Sequence, residues 1–169
     1  MKISGIILII FSCTLLGWQQ AAHYPKRVNQ LRQLQTAFNL LATEIIYSLT
    51  PLPIALRKIS KHVEPWLQNF FEQIASAMTE EKLLLADAWR KAEKSLKQTD
   101  LAAKDIALLT DTCCHLGQGD VTAQEKILTL LQQRLQHNLD EALAECQPKE
   151  QLWRYLGISA GSVLVIILI

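Results

Sequence analysis

The chain alternates between apolar stripes at helical spacing and short polar breaks. From residue 27 onward, Leu31, Leu34, Phe38, Leu41 and Ile45 recur at steps of three and four, which puts them on one face of a helix. Thr50-Pro51 predicts the stop, because proline disfavours the α conformation for the residue before it. The first helix is therefore expected to end near Leu49, with Thr50 as the next N-cap and Pro51 in a first turn that needs no N–H. Glu64-Pro65 repeats the device and opens a third helix, with Trp66, Leu67, Phe70, Phe71, Ile74 and Met78 inward. Thr79-Glu80-Glu81 supplies a cap and first-turn acids for a fourth, whose stripe is Leu85, Ala88, Trp89, Ala92 and Leu96. After the polar break Gln98-Thr99-Asp100, a fifth stripe runs through Ala102, Ile106, Leu109, Cys113 and Leu116, stopped by Gly117. Thr122 and Glu125 match a capping box, with Asp120 as the alternative cap of a sixth helix. Its face is Leu128, Leu131, Leu135, Leu139, Ala142 and Cys146, and Pro148 is expected to end it. No alternating strand pattern occurs, so the expected fold is all-α: a compact bundle of about six helices.

The two ends lack polar stripes. After Lys2, Met1–Trp18 holds about 15 apolar residues, close to the length that spans a bilayer. A retained transmembrane helix fits best, with Trp18 at the interface. Gln19-Gln20-Ala21-Ala22-His23 makes a poor signal-peptidase site, and Phe11-Ser12 before Cys13 a weak lipoprotein signal. His23–Arg27 forms the exit, where Pro25 marks a kink or a first turn. At the other end Trp153, Arg154 and Tyr155 form an interfacial belt before the uncharged stretch 156–169. The expected organisation is a transmembrane helix at 1–22, a helical domain at 23–148 and a second transmembrane helix at 149–169. Lys26, Arg27 and Arg32 follow the first span closely, so the domain is expected in the cytoplasm and both ends outside.

Composition refines this. The 169 residues are 50% hydrophobic and 20% charged, too apolar for disorder, with the apolar excess at the ends. The roughly 120 residues between them suffice for one core. Charge is unevenly spread. Residues 19–63 hold six Lys and Arg against Glu44 alone, a net of +5; residues 64–150 hold nine against fifteen Asp and Glu, a net of −6. A basic segment beside an apolar one suits an anionic membrane surface. It does not suit nucleic acid, since no basic face with interleaved aromatics appears. Cys13, Cys113, Cys114 and Cys146 match neither a disulfide framework nor a zinc site and imply a reducing compartment.

Candidate chemistry is sparse. Leu116-Gly117-Gln118-Gly119-Asp120 lacks the strand before it and the Gly-Lys-Ser/Thr after it that a phosphate loop needs. The four histidines are scattered, and adjacent Cys113, Cys114 and His115 point to different helix faces. No metal, cofactor or catalytic group is expected. Glu44 stands at the edge of the first apolar stripe, a partly buried carboxylate expected to pair with Arg32, Arg57 or Lys61.

The stretch Glu44-Ile45-Ile46-Tyr47-Ser48-Leu49-Thr50-Pro51-Leu52 resembles the signature of stage III sporulation protein AB of endospore-forming bacteria. Leu116-Gly117, Asp120 and Gln124 before a leucine-rich helix add to the resemblance, as does the whole layout. That family is similar in turn to the cytoplasmic domain of the type II secretion F platform protein, although Thr-Pro-Leu-Pro stands here where such domains often carry a glycine. The resemblance implies an integral, non-enzymatic component of the channel joining mother cell and forespore. It implies partners among the membrane channel components, first a secretion-type ATPase, the AA protein. It singles out Glu44, Tyr47, Thr50, Pro51, Leu52, Gly117, Asp120 and Gln124 as structural or partner-contact residues. A homo-oligomer is a further expectation. The alternatives are a membrane-bound enzyme or thiol regulator using Cys113, Cys114 and Glu44, and an exported lipoprotein.

Overall fold

A computed structural model describes the backbone of residues 2–113, 115–117 and 119–168. It describes the side chains of 19–153 apart from 114 and 118, together with those of Ser12, Thr14, Leu15, Trp18, Tyr155, Leu156 and Ser159. Every regular element in it is helical: α1 (Lys2–Ala42), a π-helical turn (Thr43–Tyr47), α2 (Leu52–Ser60), α3 (Pro65–Thr79), α4 (Leu85–Leu96), α5 (Ala103–Cys113) and α6 (Val121–Leu168). The expected six helices form among the described residues. The chain forms two compact units, one of residues 29–139 and one of residues 1–28 with 140–169.

In the larger unit the stripes meet as the periodicity requires. Leu31, Leu34, Phe38 and Leu41 of α1 are fully buried, as are Leu67, Phe70, Phe71 and Ile74 of α3, and Leu128, Leu131 and Leu135 of α6. An aromatic chain runs through the centre. Phe38 meets Phe71 edge-on at 6.1 Å, and Phe70 meets Trp89 edge-on at 4.9 Å. Such pairs add about 0.5–1.5 kcal/mol each beyond the area they bury. Trp66, expected inward, is half-buried because its indole N–H donates to Gln33 Oε1 at 2.7 Å. Asp105 is completely buried at the start of α5. Its carboxylate accepts from the Ala102 N–H at 3.0 Å and from Asn138 at 2.8 Å, which caps α5 and ties it to α6.

The smaller unit pairs the beginning of α1 with the end of α6. Arg27, 8% exposed, meets Glu145 at 3.7 Å, and Lys149 meets the same carboxylate at 3.0 Å. Trp153 donates from its indole to Tyr24 Oη at 3.1 Å. Among the described residues no helix is long and apolar enough to cross a membrane; the two expected spans, 1–22 and 149–169, fall largely on side chains outside those described.

Several expected ends are corrected. Pro25 lies inside α1 and Pro148 inside α6, so neither begins nor ends a helix. Each proline forfeits one backbone bond, and long helices packed along their flanks absorb that loss. Thr50 is not an N-cap: Pro51 holds that position and Pro53 lies in the first turn. Thr79, Glu80 and Glu81 do not start α4, because α3 runs on to Thr79, whose hydroxyl donates to Ala75 O, and Leu84 precedes α4. Of the two caps offered for α6, Asp120 serves, accepting the Ala123 N–H on Oδ1 at 2.9 Å.

Candidate functional site: the corner groove

The corner after α1 is built by a widened turn. Instead of continuing as α-helix to Leu49, the backbone passes through the π-helical turn, where the Ser48 N–H reaches Thr43 O at 3.2 Å. Leu49 then takes a left-handed conformation, φ 51°, at an ordinary cost of about 1–2 kcal/mol for a residue with a side chain. The Thr50 N–H returns to Glu44 O at 3.0 Å.

Glu44 clamps this corner from its side chain as well. Oε2 accepts the Thr50 hydroxyl at 3.1 Å, and Oε1 meets Lys58 Nζ of α2 at 2.6 Å. The carboxylate side chain is 16% exposed. The hydrogen bond from Lys58 lowers the Glu44 pKa from its ordinary 4.5; burial opposes this, and the Thr50 hydroxyl and the Lys58 charge add to the lowering. The expected partners are corrected. Arg57 reaches Glu80 instead, at 3.9 Å, and Arg32 and Lys61 have no ion pair among the described residues. Tyr47 takes no part in the clamp and is 82% exposed.

The second motif stretch, 65 residues further on, packs against the first. Gly117 has φ +78°, and a Cβ there would stand 3.1 Å from Leu52 Cδ2. Only glycine allows that backbone so close to the buried leucine opening α2. Leu116 is buried beneath it. Thr50, Pro51, Leu52, Gly117 and Gln124 thus line one groove of about 480 Å³. Asp120 stands beside it as the α6 cap. Lys26, Arg27 and Arg32 do not join it. Lys26 is exposed and Arg27 buried in the smaller unit, while Arg32 lies on α1 in the larger one, in a separate pocket with Thr36 and His62.

The remaining lining is apolar and includes residues that the sequence reading missed. Leu49 is 67% exposed and Leu84 72%, and both line the groove together with Val121. A signal for Leu84 existed: Leu83-Leu84-Leu85 is a run of three where a helical stripe can bury only one or two. Leu49 lies in the signature stretch, but nothing in the sequence marked its left-handed backbone or its exposure. Positive φ at a non-glycine residue occurs, among the described residues, only at Leu49 and Lys82; the left-handed glycines are Gly117 and Gly119. All four lie in the three connections that frame this groove. Strained backbone gathers at functional sites more than elsewhere. The geometry offers exposed leucines on a braced frame, with Glu44 as one of its braces.

A family profile described as stage III sporulation protein AB matches residues 2–169. Stage III sporulation protein AB of Bacillus subtilis (strain 168) is 27% identical over 169 residues, covering 99% of this chain and 99% of that one. A solved structure of a stage III sporulation protein AB superimposes with a TM-score of 0.66 at 24% identity, covering 72% of this chain and 96% of that chain, which shows the shared fold.

Proposed function

The chain belongs to the stage III sporulation protein AB family, and from that premise we propose that it is a non-enzymatic platform of the channel between mother cell and forespore. In this reading the apolar ends of α1 and α6 hold it in the mother-cell outer forespore membrane and the helical unit faces the mother-cell cytoplasm. The corner groove receives a neighbouring component, the AA-type secretion ATPase. The observation that carries the reading is the convergence of both motif stretches on one groove with Leu49 and Leu84 left 67% and 72% exposed. Large apolar side chains left bare on a braced frame mark a protein contact more often than a reaction site. The thiol alternative draws no support from the described cysteines. Cys113 is buried, and burial raises the pKa of Cys146 with the Glu150 charge adding to the effect, whereas reactive thiols need the reverse.

The test is a pair of charge substitutions at exposed positions, Leu49→Asp and Leu84→Asp. Each is expected to leave the chain at normal level in the membrane fraction while sporulation and co-purification of the ATPase both fall by an order of magnitude or more. Full sporulation with both substitutions present would overturn the groove as the contact.

A further inference from the structure

We infer that the paired ends of α1 and α6 carry a contact for anionic phospholipid headgroups, centred on Lys26 and Lys149. The inference rests on the membrane-held reading above and adds the lipid class and the residues that select it.

Within the smaller unit, side chains are layered along the two helices. Outermost is an apolar and aromatic band: Leu15 and Trp18 on α1, and Leu152, Tyr155 and Leu156 on α6, each between 47% and 71% exposed. Next comes the bonded pair Tyr24 and Trp153, with the Lys149 ammonium 5.9 Å from the Tyr24 ring centre. The cations follow at once. Lys26 is exposed with no ion-pair partner among the described residues. Lys149 and Arg27 share Glu145, and the Lys149 side chain remains 47% exposed. Glu150 is the acid at the level of these lysines. Asp140 and Glu141 lie eight or nine residues before Lys149, roughly 12–14 Å further along the helix. That is about a Debye length, so they do little to cancel the lysines. On α1 no acid occurs between residues 19 and 43.

An apolar band and aromatic pair followed by the cations Lys26 and Lys149, with Asp140 and Glu141 set further along, is complementary to a membrane whose surface is negative. A soluble acidic partner would meet the same lysines but leave Trp18 and Tyr155 bare. Of the basic segment at residues 19–63, Arg32, Arg57, Lys58 and Lys61 all fall in the other unit. The contact therefore draws on Lys26 near one end of the chain and Lys149 near the other.

The test uses the full chain in phosphatidylcholine vesicles containing either brominated phosphatidylglycerol or brominated phosphatidylcholine. Tryptophan quenching then reads the lipid enriched around the protein. Phosphatidylglycerol is expected to be favoured about fivefold for each contributing cation. Lys26→Gln and Lys149→Gln should each reduce that preference and together bring it close to one, while Lys149→Arg retains it. High salt should erode the preference in the unsubstituted chain. Equal quenching by the two lipids, or a preference untouched by Lys26→Gln at its exposed and unpaired position, overturns the inference. Quenching by neither lipid would instead overturn the membrane-held reading beneath it.

Discussion

Glu44 links three parts of the corner: its carbonyl holds the Thr50 N–H, and its carboxylate holds the Thr50 hydroxyl and Lys58. The Lys58 bond lowers its pKa in the folded chain, so the carboxylate stabilises the fold at pH values above its unfolded pKa, and that contribution is lost as pH falls through the folded one. Glu44→Gln should therefore melt below the unsubstituted chain at pH 7, and the gap should close as the medium is acidified below the carboxylate range. A gap independent of pH would mean that the charge contributes nothing. Because no proton transfer is asked of Glu44, the same variant should keep most of its sporulation activity. Gly117 offers a second test at this scale. Alanine there must accept φ +78° and displace Leu52 from 3.1 Å, so Gly117→Ala should cost about 1–3 kcal/mol in chemical denaturation. A neutral result would mean that the two motif stretches do not brace each other.

The helices were legible as faces and poorly legible at their ends, for a physical reason. A stripe such as Leu31, Leu34, Phe38 and Leu41 is repeated by many residues, and burial rewards all of them together. An end depends on one residue, and its local cost can be outweighed. Pro25 and Pro148 carry strong breaking signals, yet both sit inside helices that packing holds on either side. The corner at Thr50-Pro51 was legible as a corner but not as a π-turn with a left-handed leucine, because nothing local distinguishes Leu49 from any other leucine. The choice of Lys58 over Arg57 or Lys61 depends on how α2 is rotated to bury Leu52, Ala55, Leu56 and Ile59, which is a tertiary fact. Leu49→Gly separates strain from contact at this element. Relief of the left-handed cost offsets the added freedom of the unfolded chain, so stability should change by less than about 1 kcal/mol. Loss of the exposed leucine should nonetheless impair assembly with the partner. A variant that assembles normally would remove Leu49 from the docking surface. Beside the groove, Asp120→Ala deletes the α6 cap and should cost about 1 kcal/mol by thermal melting.

For the whole molecule, the platform reading makes one demand on topology and another on chemistry, and a single chain can test both. If the two ends are held in the membrane and the larger unit faces the cytoplasm, every connection of that unit lies on one side. Gln98, exposed in the turn between α4 and α5, is a suitable reporter. Reporting with an introduced cysteine first requires removal of Cys13, Cys113, Cys114 and Cys146, and that removal is itself the test of a thiol mechanism. Cys113 is fully buried, so Cys113→Ala leaves a small void and should cost about 1 kcal/mol; Cys146 is only half-buried and should cost less. A cysteine-free chain is thus expected to fold and to support sporulation close to normal level, since a scaffold needs packing from these positions and no sulfur chemistry. With Gln98→Cys added, a membrane-impermeant maleimide should label nothing in intact mother cells and should label fully once the membrane is opened. Labelling in intact cells would invert the topology read from Lys26, Arg27 and Arg32, and would put the groove on the side where no ATP-driven partner could reach it. Normal topology with sporulation lost in the cysteine-free chain, at unchanged protein level, would restore the thiol reading. The two results are independent, and the platform stands only if both the unlabelled reporter and the functional cysteine-free chain are found.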